Sequence, residues 1–213
     1  MADDPTVTGS ALLRAVATMD RLRSPGGCPW DAEQTHGSLA PYLLEEAYET
    51  LEAIETADLT ALREELGDLL LQILFHSRLA EEEAGGFSID DVAADLVAKL
   101  ERRHPHVFGD VEVSGAAEVN ANWDAIKKAE KQRSSAVEGI AFGQPALSLA
   151  AKLVGRSRKA GLDLTVPETD EIGDRLLALV GEAVASGVDP ELALRSSARR
   201  FADRIQQAEV GSG

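Results

Sequence analysis

A chain of 213 residues is long enough to bury a core as one domain or as two small ones. Its 44% hydrophobic and 27% charged residues suit a folded, water-exposed protein, and a formal net charge of −16 excludes nucleic-acid polymers and anionic membranes as main partners, because phosphate repels such a surface. A single cysteine, Cys28, excludes an intrachain disulfide and a cysteine-built metal cluster.

Aromatic residues are scarce at 4% and runs of β-branched residues are few, so the chain leans towards helix. Residues 1–9, MADDPTVTG, read as an acidic, mobile leader without the apolar centre of a signal peptide. No apolar run approaches the roughly 20 residues of a membrane span, and the expectation is a cytoplasmic protein. SALLRAVATMDRLR (Ser10 to Arg23) has helical apolar spacing and is broken by SPGGCP. An acidic helix follows from about Leu39 to Glu55. Asp58 is the expected N-cap of a long helix running to about Glu83, ended by Gly85 and Gly86. Ser88 with Asp91 reads as a capping variant that opens IDDVAADLVAKLERR, and Pro105 stops it. AEVNANWDAIKKAEKQR is the next helix. A loop with Gly139, Gly143 and Pro145 leads to ALSLAAKLVGRSRKA, DEIGDRLLALVGEAVA and a last helix capped by Asp189 with Pro190 in its first turn. No strand pattern emerges, and the expected fold class is all-α, a helical bundle.

The chain also echoes itself. ELGDLLLQIL (Glu65 to Leu74) resembles EIGDRLLALV (Glu171 to Val180), and KLERR (Lys99 to Arg103) resembles RFADR (Arg200 to Arg204), at offsets of 106 and 101 residues. The second copy has no counterpart of the acidic helix, so the repeat is partial.

Chemistry concentrates in two helices. On PYLLEEAYETLEAI, Glu46 and Glu49 lie about 60° apart and Glu45 about 40° from Glu49, with Leu43, Leu44, Ala47, Leu51 and Ile54 on the opposite arc. Taken alone, that face is as consistent with simple solvation as with a site. On EELGDLLLQILF, apolar residues from Leu66 to Phe75 spread round most of the circumference, which predicts a helix buried on most sides. Glu65, Asp68 and Gln72 share the narrow remaining sector. Buried carboxylates need a cation or a metal, and this helix offers no lysine. Facing the acidic helix, they would surround one cavity with four or five carboxylates, a site for a hard cation, Mg²⁺ or Mn²⁺. Gly67 is expected to let the two helices approach closely.

Carboxylates with Mg²⁺ point to a phosphate substrate, which needs fixed positive charge and a platform for a base. Lys99 and Arg103 lie four apart on one helix, as do Lys127 and Lys131 after Trp123. Each pair is equally readable as a solvated face. Trp30 and Trp123 are able to stack on a nucleobase or to serve as core.

EEAYE, fifteen residues, then ELGD matches the pattern EExxE…ExxD, and so resembles the signature of the MazG family of all-α nucleoside triphosphate pyrophosphohydrolases. GCPWDAEQTHGSL (Gly27 to Leu39), KLERRHPHVFGD (Lys99 to Asp110) and NWDAIKKAEK (Asn122 to Lys131) look like further blocks of that family, in its order. The resemblance covers roughly residues 10–133. It implies hydrolysis of an NTP or dNTP to monophosphate and pyrophosphate, dependence on Mg²⁺, and a homo-oligomer, a homodimer or larger, with helices packed across subunits. By position it makes Glu46, Glu49, Glu65 and Asp68 metal ligands, with Glu45 a further ligand or an orienting group that helps to activate water. Lys99 and Arg103 would hold the triphosphate, with Lys127 a weaker candidate. Trp123 and Asn122 would sit near the nucleoside, and Trp30, Gln34 and His36 would line the pocket mouth. The role implied is nucleotide-pool house-cleaning.

The domain reading is a leader over 1–9, a catalytic domain over 10–133, a linker over 134–145, a degenerate half-domain over 146–208 and a tail over 209–213. The half-domain keeps Glu171 and Asp174 but lacks the EExxE helix, so no independent active site is expected there. The sequence is also compatible with two rival classes. A di-iron carboxylate protein would use Glu33 with His36 and Glu101 with His104, two Glu-x-x-His pairs; neither pair sits in mid-helix. A non-catalytic helical interaction module would keep the carboxylates as mere surface. Cys28 and His76 read as packing residues.

Overall fold

The computed structural model describes residues 9–131, 134–162, 164 and 169–211, the side chains at 124, 128, 129 and 131 excepted. Residues 1–8 of the expected leader lie outside it. The described residues form helices and turns with no strand, so the protein is all-α as its sequence predicts. The helices are α1 (Ser10–Arg23), α2 (Pro29–Glu33), α3 (His36–Glu55), α4 (Leu59–Ala80), α5 (Ile89–Arg103), α6 (Pro105–Phe108), α7 (Ala116–Lys131), α8 (Ala146–Lys159), α9 (Ile172–Ala185) and α10 (Pro190–Val210). They fall into two units that divide within α7, between Trp123 and Asp124.

In the first unit the α3–α4 hairpin is the organising element, and local chemistry sets its turn. Ala57 takes the left-handed conformation at φ 55° and donates its N–H to the Ile54 carbonyl, while Asp58 N–H bonds the Ala53 carbonyl at 3.0 Å. This pair of bonds is a Schellman closure. Alanine in that conformation costs about 1 kcal/mol that glycine would not. Asp58 then caps the next helix, accepting from the N–H groups of Thr60 and Ala61, so three residues end one helix and start the next. Thr35 and Ser38 form a reciprocal capping box at the start of α3, and Ser88 with Asp91 does the same for α5.

Met19, Leu39, Leu74, Phe75 and Leu79 form the core where α1, α3 and α4 meet, with Ala15, Val16, Leu70 and Ile89 packed round it. Arg23 locks this end. Its guanidinium lies on both carboxylate oxygens of Glu82 at 2.8 and 2.9 Å, donates to the Asp31 carbonyl, and sits 5.9 Å from the centroid of the Phe75 ring. Gly27 is required by a close approach: a Cβ there would stand 2.1 Å from the Leu22 carbonyl oxygen, to which Cys28 N–H bonds. That tight turn delivers Pro29 as the first residue of α2, a short helix absent from the sequence expectation.

The hairpin corrects one sequence expectation. α4 is not buried on most sides: Leu66 is 52% exposed, Leu71 40% and Ile73 46%, while Gln72 is buried and Glu65 and Asp68 are half-buried. On α3, Leu44 and Ile54 are likewise exposed, and Thr50 is buried. Beside the apolar core, the two helices therefore bury polar groups of their own and turn several leucines outward. Gly67 follows the same rule. Nothing lies within 4 Å of where its Cβ would be, so it mediates no close approach.

The second unit packs α8, α9 and α10 on one another. Val180 is fully buried in it, and Arg158 donates to the Gly181 carbonyl at 3.1 Å. Arg156 donates to the carbonyls of Ala136 and Glu138, which holds part of the segment preceding α8 against that helix.

Candidate active site

Spacing of three on each helix and a turn of fixed length bring the acidic pairs face to face. One carboxylate oxygen each from Glu46 and Glu49 on α3 and Glu65 on α4 lie within 4.8 Å of one another. Burial raises Glu46 above its ordinary 4.5, and repulsion from Asp68, Glu49, Glu65 and Glu45 raises it further. Glu65 is raised by burial first, then by Glu49, Asp68 and Glu64, and by a side-chain hydrogen bond with Glu49. Every charged neighbour acting on these two groups is negative. Six carboxyl groups thus share one electrostatic environment, and among the described residues no lysine or arginine is named with the charges acting on Glu46 and Glu65.

This donor set fits a hard divalent cation. It offers oxygen atoms only, with net negative charge, on two rigid helices. No histidine belongs to the cluster, and neither Glu-x-x-His pair joins it. Glu33 ends α2, and His104 caps α5 with its Nδ1 2.7 Å from the Leu100 carbonyl oxygen. Among the described residues, three buried polar atoms without a hydrogen-bond partner lie on the same two helices, Thr50 Oγ1 on α3 and Gln72 Oε1 and His76 Nε2 on α4.

The remaining predicted residues are distributed as follows. Trp30, half exposed, stands edge-on to Tyr42 and to Phe75, with centroids 6.4 Å away in both cases. Gln34 donates to the Trp30 carbonyl and accepts from Ser38 Oγ. His36 is the first residue of α3, and its Nδ1 lies 2.7 Å from Nδ1 of His76. Trp30, Gln34 and His36 are thus assembled at the end of the hairpin distant from its turn. Lys99, exposed, and Arg103, half-buried, stand on α5, which packs on α4 but brings neither cation among the charges acting on Glu46 and Glu65. Trp123 lies 5.8 Å from His104, next to Arg103, with Asn122 beside it in sequence. Lys127 belongs to the second unit. The Lys131 side chain lies outside the described residues.

The sequence reading makes His76 a packing residue and assigns nothing to Thr50. The available signal was helical phase: His76 is eight residues after Asp68 and four after Gln72, and Thr50 is four after Glu46.

In the second unit the echoed pair has another setting. Glu171 is the N-cap residue of α9 and is exposed, and Asp174 accepts from Thr169 Oγ1, whose oxygen in turn accepts from Glu171 N–H. These two carboxylates belong to the start of a helix, and no other acidic helix faces them among the described residues.

Comparison with known proteins agrees with this geometry. Residues 34–108 match the model of the MazG nucleotide pyrophosphohydrolase domain. The chain is 50% identical over 204 residues to an uncharacterized 26.1 kDa protein of Streptomyces cacaoi, covering 94% of this chain and 84% of that one. It is 45% identical to a nucleoside triphosphate pyrophosphohydrolase of Mycobacterium tuberculosis, covering 94% of this chain and 59% of that one. It is 40% identical to the nucleoside triphosphate pyrophosphohydrolase/pyrophosphatase MazG of Thermotoga maritima, covering 91% of this chain and 84% of that one. With the domain match over both acidic motifs and relatives aligned along most of its length, the chain belongs to the MazG family of nucleotide pyrophosphohydrolases.

Proposed function

We propose that this hydrolase cleaves nucleoside triphosphates to the monophosphate and pyrophosphate with Mg²⁺ held by Glu46, Glu49, Glu65 and Asp68, Mn²⁺ being a substitute. The observation that carries the reading is the convergence of the Glu46, Glu49 and Glu65 oxygens within 4.8 Å under mutual repulsion. A divalent ion there supplies charge neutralisation and a bound water of lowered pKa. Glu45, exposed beside the cluster, orients the attacking water towards the α-phosphorus. Lys99 and Arg103 hold the phosphates. Trp123 and Asn122, together with Trp30, Gln34 and His36, contact the nucleoside. Residues 10–133 form the catalytic domain in this reading, and 146–208 its degenerate repeat. The cellular role we assign is house-cleaning of the nucleotide pool in the cytoplasm. No helix among the described residues is long and apolar enough to cross a membrane.

Product analysis with a panel of NTPs and dNTPs in the presence of Mg²⁺ tests the reaction. Monophosphate with pyrophosphate is the expected result; diphosphate with inorganic phosphate would place the cut at the γ position and overturn the mechanism.

We further propose a homodimer or larger homo-oligomer built on the outward leucines of the hairpin. Exposed Leu66 and Ile73 on α4 and Leu44 on α3 support it, being large apolar groups that the described fold leaves uncovered. Light scattering should give at least twice the monomer mass for the natural chain and the monomer mass for Leu66→Glu with Ile73→Glu. A monomeric natural chain would rule this assembly out.

A further inference from the structure

His76 stands on the inward face of α4, in line with Asp68 and Gln72, and its ring meets that of His36 across the hairpin. The Nδ1 atoms are 2.7 Å apart, the planes are parallel within 1° and the centroids are 5.0 Å apart, so the rings meet end-on through their nitrogens. One nitrogen donates and the other accepts. The surroundings select the direction. His76 Nε2 is buried without a partner, and an N–H there would be orphaned; His36 Nε2 lies 3.8 Å from a Glu83 carboxylate oxygen, which favours an N–H on that atom. His76 Nδ1–H therefore donates to His36 Nδ1.

From His36 the tie continues. The Thr35–Ser38 capping box holds the first turn of α3, Ser38 Oγ donates to Gln34 Oε1, Gln34 Nε2 donates to the Trp30 carbonyl, and the Trp30 ring rests on Phe75, the neighbour of His76. We propose that His76 is a positioning residue: it fixes the Trp30–Gln34–His36 segment on the same helix that carries Glu65 and Asp68, so that the nucleoside end and the carboxylate end of the site keep one spacing. This rests on the reading above in which that segment contacts the nucleoside.

The test uses the full chain and three variants. His76→Asn keeps a polar atom near the Nδ1 position, His76→Gln moves it to the Nε2 position, and His76→Leu removes it. The expected result is a KM for nucleoside triphosphate raised up to about tenfold in His76→Leu and His76→Gln, the size of one lost hydrogen bond. The kcat should stay within about twofold, His76→Asn should behave as the natural protein, and all variants should keep the natural Mg²⁺ midpoint. Equal KM values throughout, or equal losses in Asn and Gln variants, would overturn the proposal; so would a fall of kcat that tracks a shifted Mg²⁺ midpoint. If His76→Leu fails to fold, the Asn and Gln variants decide alone. Tryptophan emission in a Trp123→Phe background gives a readout independent of activity: Trp30 emission should shift to the red in His76→Gln and not in His76→Asn. A natural protein that releases no pyrophosphate would refute the proposed reaction, while an unshifted Trp30 emission would refute the tie itself.

Discussion

Glu49→Gln should fold normally and release pyrophosphate at least about a thousandfold more slowly than the natural chain. Glu49 is exposed, and exchanging its carboxylate for an amide removes one of the mutually repelling charges, so the metal-free fold should be kept. Its oxygen nevertheless belongs to the convergent group of three, and it is the hydrogen-bond partner of Glu65. A missing anionic ligand withdraws several kcal/mol of charge stabilisation from a phosphoryl-transfer site, and about 4 kcal/mol corresponds to the stated loss at 1.36 kcal/mol per tenfold. The measurement is kcat/KM for pyrophosphate release at saturating Mg²⁺. Retention of a tenth or more of the natural rate would remove Glu49 from the cluster's working set.

The second large effect is on stability and runs against intuition: Glu65→Gln should melt higher than the natural chain when no divalent ion is present, and should lose the response to Mg²⁺. Both follow from the raised Glu46 and Glu65. A carboxyl raised on folding binds its proton more tightly in the folded state. Its contribution is fully present below the ordinary 4.5 and is lost as pH climbs through the raised value. The metal-free protein should thus be stabilised by mild acid, and at neutral pH it carries the full repulsion of the cluster. Removing one charge relieves that repulsion. Mg²⁺ relieves it too, and at low pH has to displace protons to do so, so its effect grows as pH rises through the raised values and levels off above them. At a hundred times its dissociation constant a cation binding only the folded form adds about 2.7 kcal/mol, a rise of about 5–10 °C for a chain of this size. Thermal melts at several pH values, with and without Mg²⁺, check both halves. A melting temperature indifferent to Mg²⁺ at pH 8 would show that the carboxylates hold no such ion.

What the sequence discloses here follows from the range of the forces involved. Asp58, Ser88 with Asp91, and Asp189 all cap the helices expected of them, because capping is settled within three residues. The convergence of Glu46, Glu49 and Glu65 was legible for a related reason: phase along a helix is local, and one short turn joins the two. The inverted hairpin was not legible. Leucines round α4 report only that apolar area must be covered, and spacing does not say whether the covering surface is α3 or another molecule. Gly67 was misjudged on the same ground. The His36–His76 bond joins residues 40 apart in sequence, so its existence depends on which faces of α3 and α4 meet. α2 was hidden because Gly26, Gly27 and Pro29 carry strong turn signals, which mask five helical residues.

The Schellman turn at Thr56–Asp58 has a consequence for how this scaffold tolerates change. Each added residue advances a helix by about 100°. One residue inserted between Ile54 and Leu59 would therefore swing Glu65 and Asp68 out of the seam and bring exposed leucines in to face Glu46. The same rotation would carry His76 away from His36. The loop contains no catalytic group, yet its length acts as the clock that keeps two sets of side chains in phase. Substitutions at Ala57 are open to evolution, glycine above all, while insertions and deletions there are closed.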